Sequence, residues 1–140
     1  MVTLTRQTWD VEAARMAQSY AGECRGLSHS SSAGRWTKRF GSCGENIFIA
    51  SHKVPWHFAI KSWFSEKELF NYGCGGNNLT QGGQESRDCW VLSVDVQVGH
   101  YTQMVWSSSH KVGCGFAKCV GSDKSPWGKY YAYICNYCPP

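Results

Sequence analysis

The sequence predicts an α+β domain stapled by disulfides, on three observations. Apolar residues recur at three- and four-residue steps in two early segments, strand-like alternation marks the end of the chain, and eight cysteines make an even set. Helices early and antiparallel strands late are most simply a sheet with helices covering its faces. The 140 residues, 42% hydrophobic and 14% aromatic, fit one domain over residues 1–140 with a core of its own.

A first helix is expected from about Asp10 to Cys24, where Ala13, Ala14, Met16, Ala17, Tyr20, Ala21 and Cys24 supply the apolar stripe. Asp10 can cap it, because a short carboxylate accepts from the unpaired N–H groups of a first turn. Ser28 to Gly34 reads as a loop of small residues. Gly41 to Ala50 passes from a glycine-marked turn through Glu45 and Asn46 into Ile47, Phe48, Ile49 and Ala50, a strand edge or a buried turn. A second helix starts near Pro55 and carries Trp56, Ala59, Ile60, Trp63 and Phe70 on one stripe, with Lys61, Lys67 and Glu68 elsewhere. Gly73 to Val98 has no sustained period and reads as a long surface loop. Val112 to Lys118 and Lys129 to Tyr137 are the clearest strands and are expected to pair, joined by a loop over Val120 to Gly128.

Charge and cysteine usage limit the function classes. The net charge is +4, but the 14 Lys and Arg are scattered, without a run or a basic helix face, so nucleic acid is not the expected partner. Eight cysteines in so short a chain indicate an oxidised, secreted protein. Zinc would need paired C-x2-C spacings, and only Cys135 and Cys138 are spaced that way. No stretch approaches the roughly 18 apolar residues of a transmembrane helix. The polar opening Met1 to Asp10 lacks a signal peptide's apolar core, so a mature or trimmed chain is expected. Asn78, Leu79 and Thr80 form a glycosylation sequon, which matters if the chain is secreted from a glycosylating cell.

Phosphate-binding glycine loops, H-E-x-x-H zinc helices and G-x-S-x-G nucleophile elbows are all missing from the sequence. Two of the five histidines stand in suggestive settings. His29 lies in the small-residue loop after the first helix, and His100 follows a glycine at the head of Tyr101, Thr102, Gln103, Met104, Val105 and Trp106. Glu45, between a glycine turn and an apolar run, is hard to explain as a solvated charge. Glu66, followed by Lys67 and Glu68, also reads as part of a solvated helix face.

Five strings converge on a family: G-E-N-I at 44–47, W-F-S-E at 63–66, G-H-Y-T-Q-M-V-W at 99–106, V-G-C-G at 112–115 and Y-I-C-N-Y-C-P at 133–139. From about Trp9 to Pro140, in this order, the chain resembles the CAP superfamily of cysteine-rich secretory proteins, antigen 5 venom allergens and plant pathogenesis-related proteins, most strongly the vertebrate secretory branch. The resemblance implies an α-β-α sandwich with His29, Glu45, Glu66 and His100 lining a central cleft. It implies that His29 and His100 can hold a zinc or similar divalent ion weakly, with Glu45 and Glu66 beside them. It implies bridges Cys24 to Cys119, Cys43 to Cys138 and Cys114 to Cys135, which leaves Cys74 and Cys89 for each other. The family's usual opening helix has no counterpart before Trp9, and its C-terminal hinge and cysteine-rich domain have none after Pro140.

Two functions are weighed on this basis. The first is a secreted binding or signalling module that engages a protein, a membrane receptor, or a lipid such as a sterol or fatty acid. The second is a metal-assisted hydrolase, a protease or esterase, using His29, Glu45, Glu66 and His100 to activate water. The first is preferred because no motif presents a nucleophile beside a base.

Overall fold

The computed structural model describes residues 6–70, 98–120 and 128–140. The elements run β1 (Thr8–Trp9), α1 (Val11–Gly22), β2 (Trp36–Thr37), β3 (Gly41–Ser42), β4 (Gly44–Ala50), α2 (Trp56–Ser65), a 3-10 turn (Glu66–Leu69), α3 (Gly99–Met104), β5 (Lys111–Cys119) and β6 (Tyr130–Cys138). Strands β1, β5, β6 and β4 form one sheet in that order, with β1 parallel to β5 and the other pairs antiparallel. Strands β2 and β3 make a separate small hairpin. Among the described residues no helix precedes β1.

Helix α1 forms where its spacing predicts, and Asp10 caps it by accepting from the Ala13 amide at 2.9 Å. Its buried stripe is narrower than expected: Ala13, Ala17 and Ala21 are buried, whereas Ala14, Met16 and Tyr20 are only partly covered. The cause lies on β5. Gly113 and Gly115, two residues apart and therefore on one face, lie so close to α1 that a Cβ on either would overlap its backbone at Ala13–Ala14 or at Ala17–Gln18. The V-G-C-G string is thus the seat of the helix. Gln18 locks the contact, donating to the Phe116 carbonyl at 2.8 Å and accepting from the Phe116 amide at 3.0 Å. These groups lie beyond the reach of the two-residue strand β1, and the side chain satisfies them in its place.

The opposite face is aromatic. Ala59 and Trp63 of α2 pack on Tyr133, Cys135 and Tyr137 of β6, with Phe48, Trp56 and Phe116 around them. On the α1 side, Ile47 and Ile134 meet Ala17 and Ala21. Central strand β6 supplies both faces by alternation and is almost wholly buried. Helices therefore cover both faces of the sheet, which is the α-β-α sandwich the resemblance implies.

Two expectations are corrected. The second helix does not carry one stripe through to Phe70: it stops at Ser65, and the chain tightens into the 3-10 turn. Ile60 is not in the core but 43% exposed, since the buried track runs through Ala59 and Trp63. Of the two readings of segment 41–50, the strand holds: Gly44–Ala50 is the outer strand β4, paired along its length with β6, and Gly41–Ser42 belongs to β3.

The described cysteines form three bridges, Cys24–Cys119, Cys43–Cys138 and Cys114–Cys135, the pairing that the resemblance implies. Cys114 and Cys135 stand directly opposite each other on β5 and β6. Cys24 follows the C-cap of α1 with φ +55°, a left-handed conformation that normally falls to glycine. Glycine could not supply the sulfur that ties this helix end to Cys119. The expected Cys74–Cys89 bridge and the Asn78 sequon lie outside the described residues, as do most of the two expected surface loops.

Candidate functional site

Strand β4 organises the site because its successive side chains leave on opposite faces. Glu45 points to the α1 face, like Ile47 two residues on, and Asn46 points to the α2 face, like Phe48.

On the α1 side, Glu45 is a buried carboxylate, its side chain 1% exposed. Oε1 accepts from His29 Nδ1 at 2.8 Å and from the Ser30 amide at 2.9 Å, and Oε2 accepts from the Ser30 hydroxyl at 2.7 Å. Burial alone would raise the Glu45 pKa, but the hydrogen bonds from His29 and Ser30 outweigh it and hold the carboxyl below its ordinary value. Arg35 braces this loop, its guanidinium donating to the Ser30 carbonyl and to the Cys43 carbonyl. The His29 ring remains 55% exposed.

On the other side, Glu66 opens the 3-10 turn after α2, and its Oε1 accepts from His100 Nδ1 at 2.6 Å. Its Oε2 accepts from the Tyr101 amide at 3.0 Å. Glu66 is therefore not the solvated helix-face residue that Lys67 and Glu68 suggest. The His100 ring lies roughly parallel to that of Trp63, interplanar angle 22°, centroids 6.2 Å apart. Asn46 donates to the His100 carbonyl at 3.1 Å and to the Tyr137 hydroxyl at 3.4 Å, so β4 also positions α3. Burial pushes the Tyr137 phenol well above its ordinary value, against a smaller opposing effect of the Asn46 bond.

The same device thus occurs twice. Each glutamate accepts from a histidine Nδ1 and from the backbone amide of the residue after that histidine. A carboxylate only accepts, so each Nδ1 carries its hydrogen and each Nε2 is left as the nitrogen able to ligate or take a proton. Sequence reasoning proposed one quartet of four residues. The structure shows each histidine paired with one glutamate, His29 with Glu45 and His100 with Glu66. Among the described residues no group of three or more His, Cys, Asp and Glu is gathered to hold a metal ion. Sequence reasoning missed the supporting residues Ser30, Arg35, Asn46 and Trp63. Adjacency was the available signal: Ser30 follows His29, Asn46 follows Glu45, and Trp63 lies one helical turn before Glu66.

The profile of the cysteine-rich secretory protein (CAP) family matches residues 3–137. The chain belongs to this family. It is 40% identical over 136 residues to cysteine-rich secretory protein 2 of Cavia porcellus, covering 97% of this chain and 47% of that one. It is 35% identical to allurin of Xenopus tropicalis over 97% of this chain and 57% of the relative. The chain thus spans about half the length of these curated relatives. Among solved structures, venom allergen-like protein 4 of Schistosoma mansoni superposes with a TM-score of 0.65 at 25% identity, covering 98% of this chain and 70% of that one. The α-β-α sandwich described above is the CAP fold. Its three described bridges and two His–Glu pairs are the features on which a function can rest. No helix of the described residues is long and apolar enough to cross a membrane.

Proposed function

We propose that this CAP chain is a secreted, extracellular binding or signalling module that engages a protein, membrane receptor or lipid, and that its His–Glu pairs take a divalent ion weakly. The observation that carries the metal reading is the commitment of both Nδ1 atoms to carboxylates. A carboxylate behind a histidine fixes the ring and makes Nε2 more basic, an arrangement that suits zinc. The donor set fits a zinc ion only loosely, since the pairs offer two nitrogens, His29 Nε2 and His100 Nε2. Solvent would fill the remaining positions, and affinity would be low. Secretion is supported by the disulfides and by the secretory relatives. The partner class, whether receptor or sterol or fatty acid, rests on the family resemblance.

Hydrolysis is the less supported reading. Among the hydroxyls near the pairs, Ser30 donates to Glu45 rather than to an imidazole, and a carboxyl held below its ordinary pKa is a weak base for activating it. A metal-activated water would remain as the route, with a glutamate to take its proton.

Calorimetry with zinc at neutral pH tests the metal reading. Weak binding is expected for the wild type, and none for a His29→Ala, His100→Ala double variant. One ion per chain would mean that the two pairs share it, and two would mean that each acts alone. Equal heats from wild type and double variant would reject the site. Occupancy should fall in acid, because imidazole must be neutral to ligate.

A further inference from the structure

Asn136 Oδ1 is the buried side-chain oxygen, among the described residues, that no protein donor reaches. The residue is 1% exposed, and native folds rarely keep such a group unpaired. Its place explains why no side chain answers it. Asn136 lies on central strand β6, directly opposite Glu45 of β4 on one side and Gly113 of β5 on the other. Residues paired this way share a face, with Cβ atoms about 4.5–5.5 Å apart. Gly113 offers no side chain, and Glu45 offers only acceptors.

The Glu45 carboxylate is also one donor short. Each carboxylate oxygen can take two. Oε1 has two, from His29 Nδ1 and the Ser30 amide, whereas Oε2 has one, from the Ser30 hydroxyl. Two acceptor positions, one on Asn136 Oδ1 and one on Glu45 Oε2, therefore lie on directly paired residues of one sheet face without a protein donor.

We propose that a single buried water molecule is held between Asn136 and Glu45, donating one hydrogen to Asn136 Oδ1 and the other to Glu45 Oε2. Its two hydrogens match the two open acceptors, and a buried water is stable when two to four polar groups hold it. Asn136 is then a positioning residue: through the water it fixes the carboxylate that orients His29. This holds whether or not the site takes a metal.

A metal-free crystal structure at high resolution tests the proposal, together with Asn136→Leu, which keeps the volume and removes the acceptor. The wild type should show a density peak about 2.6–3.1 Å from both oxygens. The variant should lose the peak and lower the folded-to-unfolded ratio about tenfold, because Oε2 loses its donor. The 15N signal of His29 Nδ1 should move while that of His100 stays. If Asn136→Leu does not fold, the wild-type map decides alone. An amide turned so that its nitrogen bonds Glu45 directly, a dry contact, or a peak with the short multi-oxygen coordination of a cation would each overturn the proposal. So would a leucine variant as stable as the wild type or more so, since that is the behaviour of an acceptor that was never satisfied.

Discussion

Replacing Glu45 by glutamine exchanges a buried carboxylate for a neutral group of the same size. Both bonds from Ser30 lie in the protein interior, since Ser30 and Glu45 are each 8% exposed. A hydrogen bond to a charged acceptor contributes about 1.5–3 kcal/mol, against about 1 for a neutral one. The His29 contact is discounted because its ring is more than half exposed and water competes for it. Glutamine can still accept from the Ser30 amide and can donate to a rotated hydroxyl. The loss is then the charged-to-neutral difference on two bonds, about 1–4 kcal/mol at pH 7, less the cost of burying the charge. Acid should erase it. The folded pKa of Glu45 lies below its ordinary value of 4.5, so the carboxylate's contribution is present above about 4.5 and lost as pH falls through the folded value. A protonated glutamic acid resembles glutamine, and the two proteins should converge. Urea unfolding followed by tryptophan fluorescence, at neutral pH and in steps down to roughly pH 2.5, measures the gap. A gap that stays constant or widens in acid would refute the reasoning.

Other variants test the frame around the site. Gly113→Ala or Gly115→Ala should cost about 1–3 kcal/mol or more, because the new methyl meets helix backbone that cannot turn aside. Gly22→Ala, in the same helix with nothing within 4 Å of the added Cβ, should instead gain about 0.5–1 kcal/mol; thermal melts compare them, and equal effects would deny the close seat. Losing Cys114–Cys135 or Cys24–Cys119 should cost a similar amount, about 3–4 kcal/mol each, read from denaturant midpoints of paired Cys→Ala variants, because the remaining bridges already shorten the loop that Cys24–Cys119 closes. Widely different costs would show that native packing, rather than chain closure, sets these values.

The parts of this chain legible in sequence are those governed by local period or by strings of specific residues. Helix α1, its Asp10 cap and the β5–β6 pair follow from spacing. Glu45, Glu66 and His100 follow from family strings that contain them, and His29 from its place in the small-residue loop after the first helix. What sequence hid is long-range pairing. Strand β1 is two residues long and exists only because β5 offers it an edge. Helix α3 spans six residues, too few to show a period, and Asn46 holds it from across the sheet. Glu66 looks solvated because Lys67 and Glu68 follow it, yet the turn after α2 brings it onto His100. Which histidine meets which glutamate depends on how the loop at His29 and the helix at His100 approach those carboxylates, and sequence order does not carry that information.

The bare backbone at Gly113 and Gly115 gives the scaffold one closed side and one open one. Over Gly113 and Gly115 there is no room for another carbon atom, so a side chain added at either must push the helix away. Across the sheet, Phe48, Trp56 and Phe116 each meet Tyr133 ring against ring, and one ring can be exchanged for another of different shape while its neighbours reorient. Changes that retune recognition without dismantling the protein should therefore accumulate on the aromatic side, where His100 also sits, while the His29 side keeps its form.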